Sequence, residues 1–299
     1  MTAILETSGL TKRYGARTSV NNLSITVNEG DIYGFLGLNG AGKTTTIRMV
    51  LNLIKPTAGS VRIFGKDVRR HFLEIARDVG ALVELPAFYP YLSAWKNLEV
   101  LRLATGGVSK NRIGEVLEMV RLADRAHDRV RSYSQGMRQR LGIAQALLAR
   151  PRLVILDEPT NGLDPHGMKY FREMIQELNK KEGATFLISS HLLHEIELSA
   201  TRVAIIKEGN LVIEETVSNI LARTVNSVRI RAHPAKEAAA VAGKMEGVQQ
   251  CVALDDGALQ VFLDRSRFAH LNAELHRNNL EVSEFAPVKM SLEEYFLSR

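Results

Sequence analysis

With 299 residues, 45% of them hydrophobic, the chain can bury a sizeable core and is long enough for one large domain or one large and one small. A formal charge of +6 suits acidic nucleotides, an anionic membrane surface or nucleic acid without choosing among them; no long basic block occurs, so most lysines and arginines read as solvated surface. The single cysteine, Cys251, excludes an internal disulfide and a cysteine-rich metal cluster and reads as a small apolar residue rather than a nucleophile.

The opening MTAILETSGLTKRYG has no basic region followed by a continuous apolar core, so no secretory signal is expected. No stretch approaches about 18 uninterrupted apolar residues, so no membrane-crossing helix is expected either. Ile4–Leu10, Leu23–Val27 and Val61–Phe64 have strand-like apolar content, broken by turn residues such as Asn28-Glu29-Gly30 and Thr57-Ala58-Gly59-Ser60. They suggest a small antiparallel sheet. Tyr14, between the first two, precedes the next motif by enough chain to fold back over a bound base.

The apolar run from Ile32 to Leu36 enters Gly37-Leu38-Asn39-Gly40-Ala41-Gly42-Lys43-Thr44-Thr45, a match to G-x-x-x-x-G-K-[ST]. Gly37, Gly40 and Gly42 permit a tight bend in which successive backbone N–H groups point inward at phosphate oxygens. Lys43 would reach the β- and γ-phosphates and the Thr44 hydroxyl would hold Mg²⁺, so the stretch reads as a nucleotide phosphate site. Ile47, Met49, Val50, Leu51, Leu53 and Ile54 fit a largely buried helix that stops before Lys55-Pro56.

Ala81-Leu82-Val83 suggests a short strand ending at Glu84, followed by a loop from Pro86 to Pro90. From Leu92 to Val130 the pattern is helical, with Trp95, Leu98 and Leu101 on one face and Ile113, Val116, Leu117 and Val120 on another. A helical insert of about 90–148 within an α/β domain follows. Ser134–Leu148 reads as a loop running into a helix, and the four apolar residues Leu153–Leu156 as a parallel strand buried on both faces. Asp157 and Glu158 end that strand, where open α/β sheets place ligand chemistry. A helix over Gly167–Lys180, a strand over Ala184–Ile188, His191, a helix over Leu192–Leu198 and a strand over Val203–Ile206 continue the alternation. A hairpin around Glu208-Gly209-Asn210 closes it.

Near Thr216 the pattern changes, which places a linker at 216–224 between a nucleotide-binding domain, 1–215, and a small accessory domain, 225–299. Strands are expected at Val228–Ala232, Cys251–Leu254, Leu259–Leu263 and Glu281–Phe285, and helices at Pro234–Met245, Arg267–Arg277 and Leu292–Leu297. That order suggests an α+β domain of ferredoxin-like kind, with no catalytic cluster of its own.

Acids at the end of a buried strand downstream of a phosphate loop form the second half of an NTPase. Asp157 would bind Mg²⁺ directly or through water, and Glu158 would polarise the attacking water. His191, at another strand end, falls near the same phosphates. Taken together, these motifs resemble the ATPase subunits of ATP-binding cassette (ABC) transporters over residues 3 to about 215. GLNGAGKTT is similar to the family's Walker A, LVILDEPTNGLDP to its Walker B and D-loop, LISSHLLHEIE to its switch-histidine loop and YSQGMRQRLGIAQAL to its signature segment.

The resemblance implies a P-loop α/β fold with an antiparallel β subdomain and a helical subdomain, followed here by the small C-terminal α+β domain. It makes ATP and Mg²⁺ the cofactors, Glu158 and His191 the catalytic residues, and Tyr14 the adenine-stacking aromatic. Gly37, Leu38, Asn39, Gly40, Ala41, Gly42, Lys43, Thr44 and Thr45 would hold the phosphates, and Ser134 with Gly136 would contact the γ-phosphate bound to a second subunit. Two departures stand out. Gln135-Gly136 and Met137 replace the usual glycine pair and glutamine, and Glu84 occupies the position of the Q-loop glutamine, adding a carboxylate that could join Thr44 and Asp157 as a metal ligand.

ALVELPAFYPYLSAWKNL and the ending SLEEYFLSR resemble the branch that exports bacitracin, lantibiotics and related antibiotics. The implied protein is cytoplasmic, peripheral on the inner face of the membrane, a dimer of identical chains, and docked through Glu84 to Leu98 on separate integral-membrane permease subunits. A soluble cassette ATPase acting on nucleic acid or ribosomes is the alternative; its relatives usually carry two cassettes or a long coiled coil, neither of which is present, so nucleic acid is disfavoured as a partner. A binding module with little turnover is a third reading, against which the intact Glu158 argues.

Overall fold

The structure, a computed structural model, describes residues 2–84, 86–223 and 227–288. The chain divides into two compact units between Thr216 and Val217. In chain order the first contains β1 (Ala3–Tyr14), β2 (Arg17–Leu23), β3 (Thr26–Asn28), β4 (Ile32–Leu36), α1 (Lys43–Val50), β5 (Ala58–Ile63), β6 (Lys66–Asp67), α2 (Phe72–Ile75), β7 (Val79–Leu82), α3 (Ala94–Thr105), α4 (Asn111–Met119), α5 (Gln135–Leu147), β8 (Leu153–Asp157), α6 (Pro165–Glu182), β9 (Thr185–Ser190), α7 (Leu193–Glu197), β10 (Arg202–Lys207) and β11 (Asn210–Thr216).

The antiparallel sheet has the order β2-β1-β5-β6, with β3 also paired to β1. Its first strand runs on to Tyr14, which faces Arg17 across the turn at Gly15-Ala16. The second sheet, β11-β10-β4-β9-β8-β7, is parallel apart from the edge strand β11. Every residue of β4, β8 and β9 is buried, as expected of strands covered on both faces. The strand order sets the C-terminal ends of β4, β9 and β8 side by side, with Leu36 opposite Ser190 and Asp157 opposite Ser189. At the edge, the Tyr33 hydroxyl donates to Glu214 at 2.7 Å; burial, then the Glu214 carboxylate, push the phenol well above its ordinary range, so it remains a donor. The β10–β11 hairpin turns through Glu208 and Gly209, both with positive φ, as a two-residue turn of this type requires.

Some boundaries differ from the sequence reading. The helix after the phosphate loop ends at Val50 and does not reach Ile54. Leu53 bonds back to the Arg48 carbonyl while Asn52 turns left-handed (φ 55°), which closes the helix and leaves Leu53 59% exposed. The helical insert is α3, α4 and α5, with two short 3₁₀ turns between α4 and α5, and Leu98, Ile113, Val116 and Leu117 are fully buried in it. Helix α6 is longer at both ends, because Asp164 caps it ahead of Pro165 and Gly183 (φ 67°) closes it.

The second unit contains α8 (Val217–Arg223), β12 (Ser227–His233), α9 (Ala235–Lys244), β13 (Val248–Ala253), β14 (Leu259–Leu263), α10 (Phe268–Arg277) and β15 (Glu281–Val288). Most of the stretch expected as a linker is thus helical, with Val217 and Ile220 buried. The strands form one antiparallel sheet in the order β13-β14-β12-β15, so two βαβ units interleave. Val228, Ile230, Val261 and Leu263 pack with Leu271 and Leu275 of α10. Cys251 is half-buried against this core and burial pushes its thiol up, in keeping with a packing role. The helix expected at Leu292–Leu297 lies outside the described residues.

The join between α5 and the main sheet is tight at Gly80 of β7, where an added Cβ would lie 2.0 Å from the Ala146 carbonyl oxygen and 2.8 Å from the Pro151 ring. Gly80→Ala should therefore destabilise the first unit by about 2–3 kcal/mol, read as a lower denaturant midpoint with unchanged slope. An unaltered midpoint would show that the insert is not clamped there.

Candidate functional site

The loop after β4 carries Gly37 to Gly42 and delivers Lys43 to the first turn of α1. Two of its glycines are required by close approach. A Cβ on Gly37 would meet the Ile206 carbonyl oxygen at 2.5 Å, and one on Gly42 (φ 108°) would meet the Ser19 carbonyl oxygen at 2.5 Å. Gly42 is also the N-cap of α1 and supplies no capping side chain, so the first N–H groups of the helix stay open to an anion.

Lys43 is buried, and its ammonium donates to the carbonyls of Gly37 at 2.7 Å and Leu38 at 3.3 Å. It also lies 3.1 Å from Glu158 Oε1. Glu158 follows the end of β8 in a left-handed conformation (φ 49°) that no glycine relieves, a strain of about 1 kcal/mol or more of the kind that collects at functional sites. Its other oxygen, Oε2, meets His191 Nδ1 at 2.7 Å, and the His191 backbone N–H points to it at 3.4 Å. One carboxylate thus joins the phosphate loop to the end of β9.

Beneath it, Asp157 is buried and accepts a 2.5 Å hydrogen bond from Ser189 Oγ through Oδ1. Ser189 Oγ in turn accepts from the Glu158 backbone N–H at 2.9 Å. This fully buried serine therefore holds the Asp157 side chain and the Glu158 backbone, a role the sequence reading missed; the Ser189-Ser190 pair after an apolar run and just ahead of the histidine was the available signal.

An open cavity of about 590 Å³ lies over these groups. Tyr14, Asn39, Gly40, Gly42, Lys43, Thr44, Thr45, Glu158 and His191 line it, so the base-stacking candidate, the phosphate loop and the catalytic candidates share one site. Arg17, Ser19 and Arg48 also line it and were not singled out from sequence. Ser19 Oγ donates to Thr45 Oγ1 at 3.1 Å, which fixes β2 against the start of α1.

Gly37, Leu38, Ala41, Asp157 and Glu84 are not among the lining residues; the first four lie on the phosphate loop and at the end of β8, whereas Glu84 is set apart by its own partner. Its carboxylate is exposed and ion-paired with Arg48 on α1, one turn beyond Thr44. That guanidinium draws it away from the place of a metal ligand. Ser134 and Gly136 are also elsewhere: with Gly162 and Asp164 they line a separate cavity of about 530 Å³. Ser134 caps α5 by accepting from the Met137 N–H at 3.2 Å, so the loss of the usual glutamine at Met137 leaves the cap intact.

Comparison with known proteins identifies the family. Residues 20–161 match the ABC transporter family. The bacitracin transport ATP-binding protein BcrA of Bacillus licheniformis is 43% identical over 297 residues, covering 99% of this chain and 97% of that protein. The lantibiotic transport ATP-binding protein SrtF of Streptococcus pyogenes is 41% identical over 212 residues, 71% of this chain and 90% of that protein. Among solved structures, the dimeric post-hydrolysis state of the ATP-binding cassette MJ0796, bound to ADP and Pi, has a TM-score of 0.66 at 26% identity, covering 71% of this chain and 98% of that one. The chain belongs to the ABC transporter family, as an ATP-binding ATPase whose hydrolysis is coupled to transport.

Proposed function

We propose that this chain is the ATPase subunit of an exporter, working as a pair of identical cassettes on separate permease chains, with an antibiotic, a peptide or another amphiphile as cargo. The chemistry rests on one observation: Lys43, Glu158 and His191 meet at three adjacent strand ends beside an uncapped helix N-terminus. The cargo class rests on the bacitracin and lantibiotic relatives.

In this reading Tyr14 stacks on the adenine, and the loop from Gly37 to Thr45 binds the phosphates through its N–H groups and Lys43. An ammonium has three protons, and here they are directed at two carbonyls and Glu158. A γ-phosphate must therefore replace one of those partners, and Glu158 is the one that matters. Released from Lys43, its Oε1 accepts a proton from the water whose oxygen attacks the γ-phosphorus. The new P–O bond forms as the bond to the bridging oxygen breaks, and ADP departs with that oxygen. His191 keeps Oε2 occupied and so fixes which oxygen faces the water.

The donor set also fits Mg²⁺. Thr44 and Asp157 offer oxygen ligands, and an ion that retains water and phosphate ligands needs few from the protein. When bound, it neutralises phosphate charge; Glu84 would join it only after leaving Arg48.

Because Ser134 and Gly136 face their own cavity, we assign them to the γ-phosphate held by the second copy. Docking on the permease is assigned to the segment beginning at Glu84, where Tyr89 and Tyr91 are 52% and 63% exposed. A location at the inner membrane face accords with the finding that, among the described residues, no helix is long and apolar enough to cross a membrane. Residues 1–215 are assigned as the ATPase and 225–299 as a ferredoxin-like accessory domain.

Lys43→Ala should abolish productive ATP binding. Glu158→Gln should keep binding, lower turnover by about 100-fold or more, and trap an ATP-dependent dimer on a sizing column. Unchanged turnover in the glutamine variant would remove Glu158 from this role. Ser189→Ala leaves two buried groups without their partner and should cost about 1–3 kcal/mol of stability, measured by denaturant unfolding, together with reduced ATPase activity. Retention of both would show that Ser189 does not position the acids.

A further inference from the structure

Three side chains with permanent positive charge line the nucleotide cavity: Arg17, Lys43 and Arg48. Two are engaged, Lys43 with Glu158 at 3.1 Å and Arg48 with Glu84. Beyond its backbone pairing in the β1–β2 ladder, the Arg17 side chain has no hydrogen bond or ion pair among the described residues. An arginine beside a polyanion site with no acid of its own differs in kind from the other two.

Its place on the wall is fixed by its neighbours. Arg17 is the cross-strand partner of Tyr14 in the β1–β2 hairpin. Ser19, two residues further along β2, also lines the cavity and is hydrogen-bonded to Thr45. Arg17 thus belongs to the stretch of wall that joins the base-stacking tyrosine to the start of α1. The terminal phosphate has its own partner in Lys43, at the end of the cavity where Glu158 and His191 lie. In a nucleoside triphosphate, the anionic group between the base and the terminal phosphates is the α-phosphate. A guanidinium gains more from that full charge, through one or two charge-assisted hydrogen bonds, than from the neutral edge of a purine.

We propose that Arg17 pairs with the α-phosphate of the bound nucleotide, an inference that rests on the ATP site described above. Arg17 then sets affinity for the nucleotide irrespective of its base and irrespective of whether the γ-phosphate is present. The interaction supplies the charge that the phosphate loop leaves uncovered once Lys43 and Arg48 are engaged.

The test is equilibrium titration of the full-length wild type, Arg17→Ala, Arg17→Lys and Lys43→Ala with ATP, GTP, ADP and adenosine at one salt concentration. Arg17→Ala should weaken ATP, GTP and ADP by a common factor of about tenfold, leave adenosine affinity as in wild type, and be partly rescued in Arg17→Lys. Unchanged ATP affinity in Arg17→Ala would overturn the assignment. So would loss of ATP but not GTP, which marks a base contact, or loss of ATP but not ADP, which marks a γ-phosphate contact. A circular-dichroism melting curve matching wild type confirms that the variant is folded. Failure of the underlying site reading looks different: the wild type would bind none of the nucleotides, or Lys43→Ala would bind them as well as wild type does.

Discussion

A lysine that is nearly water-free needs an anion, and in this chain the anion is the Glu158 carboxylate, the group we assign to act on water. The 3.1 Å contact between Lys43 and Glu158 ties the phosphate loop to the neighbouring strands and gives both ionised groups a partner in a site where leaving either alone would be costly. In the proposed function a phosphate competes with the carboxylate for the ammonium, so that arrival of the nucleotide and release of the carboxylate would be one event.

The rest of the first unit can be understood as what is required to bring those two side chains together. They are more than a hundred residues apart in sequence, and in the order β4-β9-β8 the strands that precede them are separated only by β9, which leads into His191. The close approaches at Gly37 and Gly42 let the loop pass under neighbouring backbone without a side chain in the way. Ser189 then fixes the two acids relative to each other. None of this requires the second unit, whose core of aliphatic and aromatic side chains closes on its own sheet.

Much of this was legible in the sequence because the constraints are local. Glycine spacing ahead of Lys43, four apolar residues ahead of Asp157, and a serine at a helix start each have a local physical cause, so Lys43, Thr44, Glu158, His191 and Tyr14 all fall in one cavity and Ser134 caps its helix. What escaped depends on contacts between distant segments. The Arg48–Glu84 pair, the double role of Ser189 and the position of Arg17 opposite Tyr14 arise from strand register and helix placement, which periodicity does not encode. The early end of α1 was missed for a different reason: Ile54 and Leu53 continue an apolar rhythm, but Asn52 in a left-handed turn outweighs it.

The structure holds two separate cavities, one with Lys43 and Glu158 and one with Ser134 and Gly136, and the proposed pairing of two cassettes would use both. The central claim is the exchange of partners at Lys43, and the most direct measurement is a structure of the chain with a non-hydrolysable ATP analogue. The account predicts the ammonium on phosphate oxygens, with Glu158 Oε1 freed and turned toward a water in line with the γ-phosphorus. A nucleotide bound elsewhere, with the 3.1 Å contact between Lys43 and Glu158 intact, would contradict it.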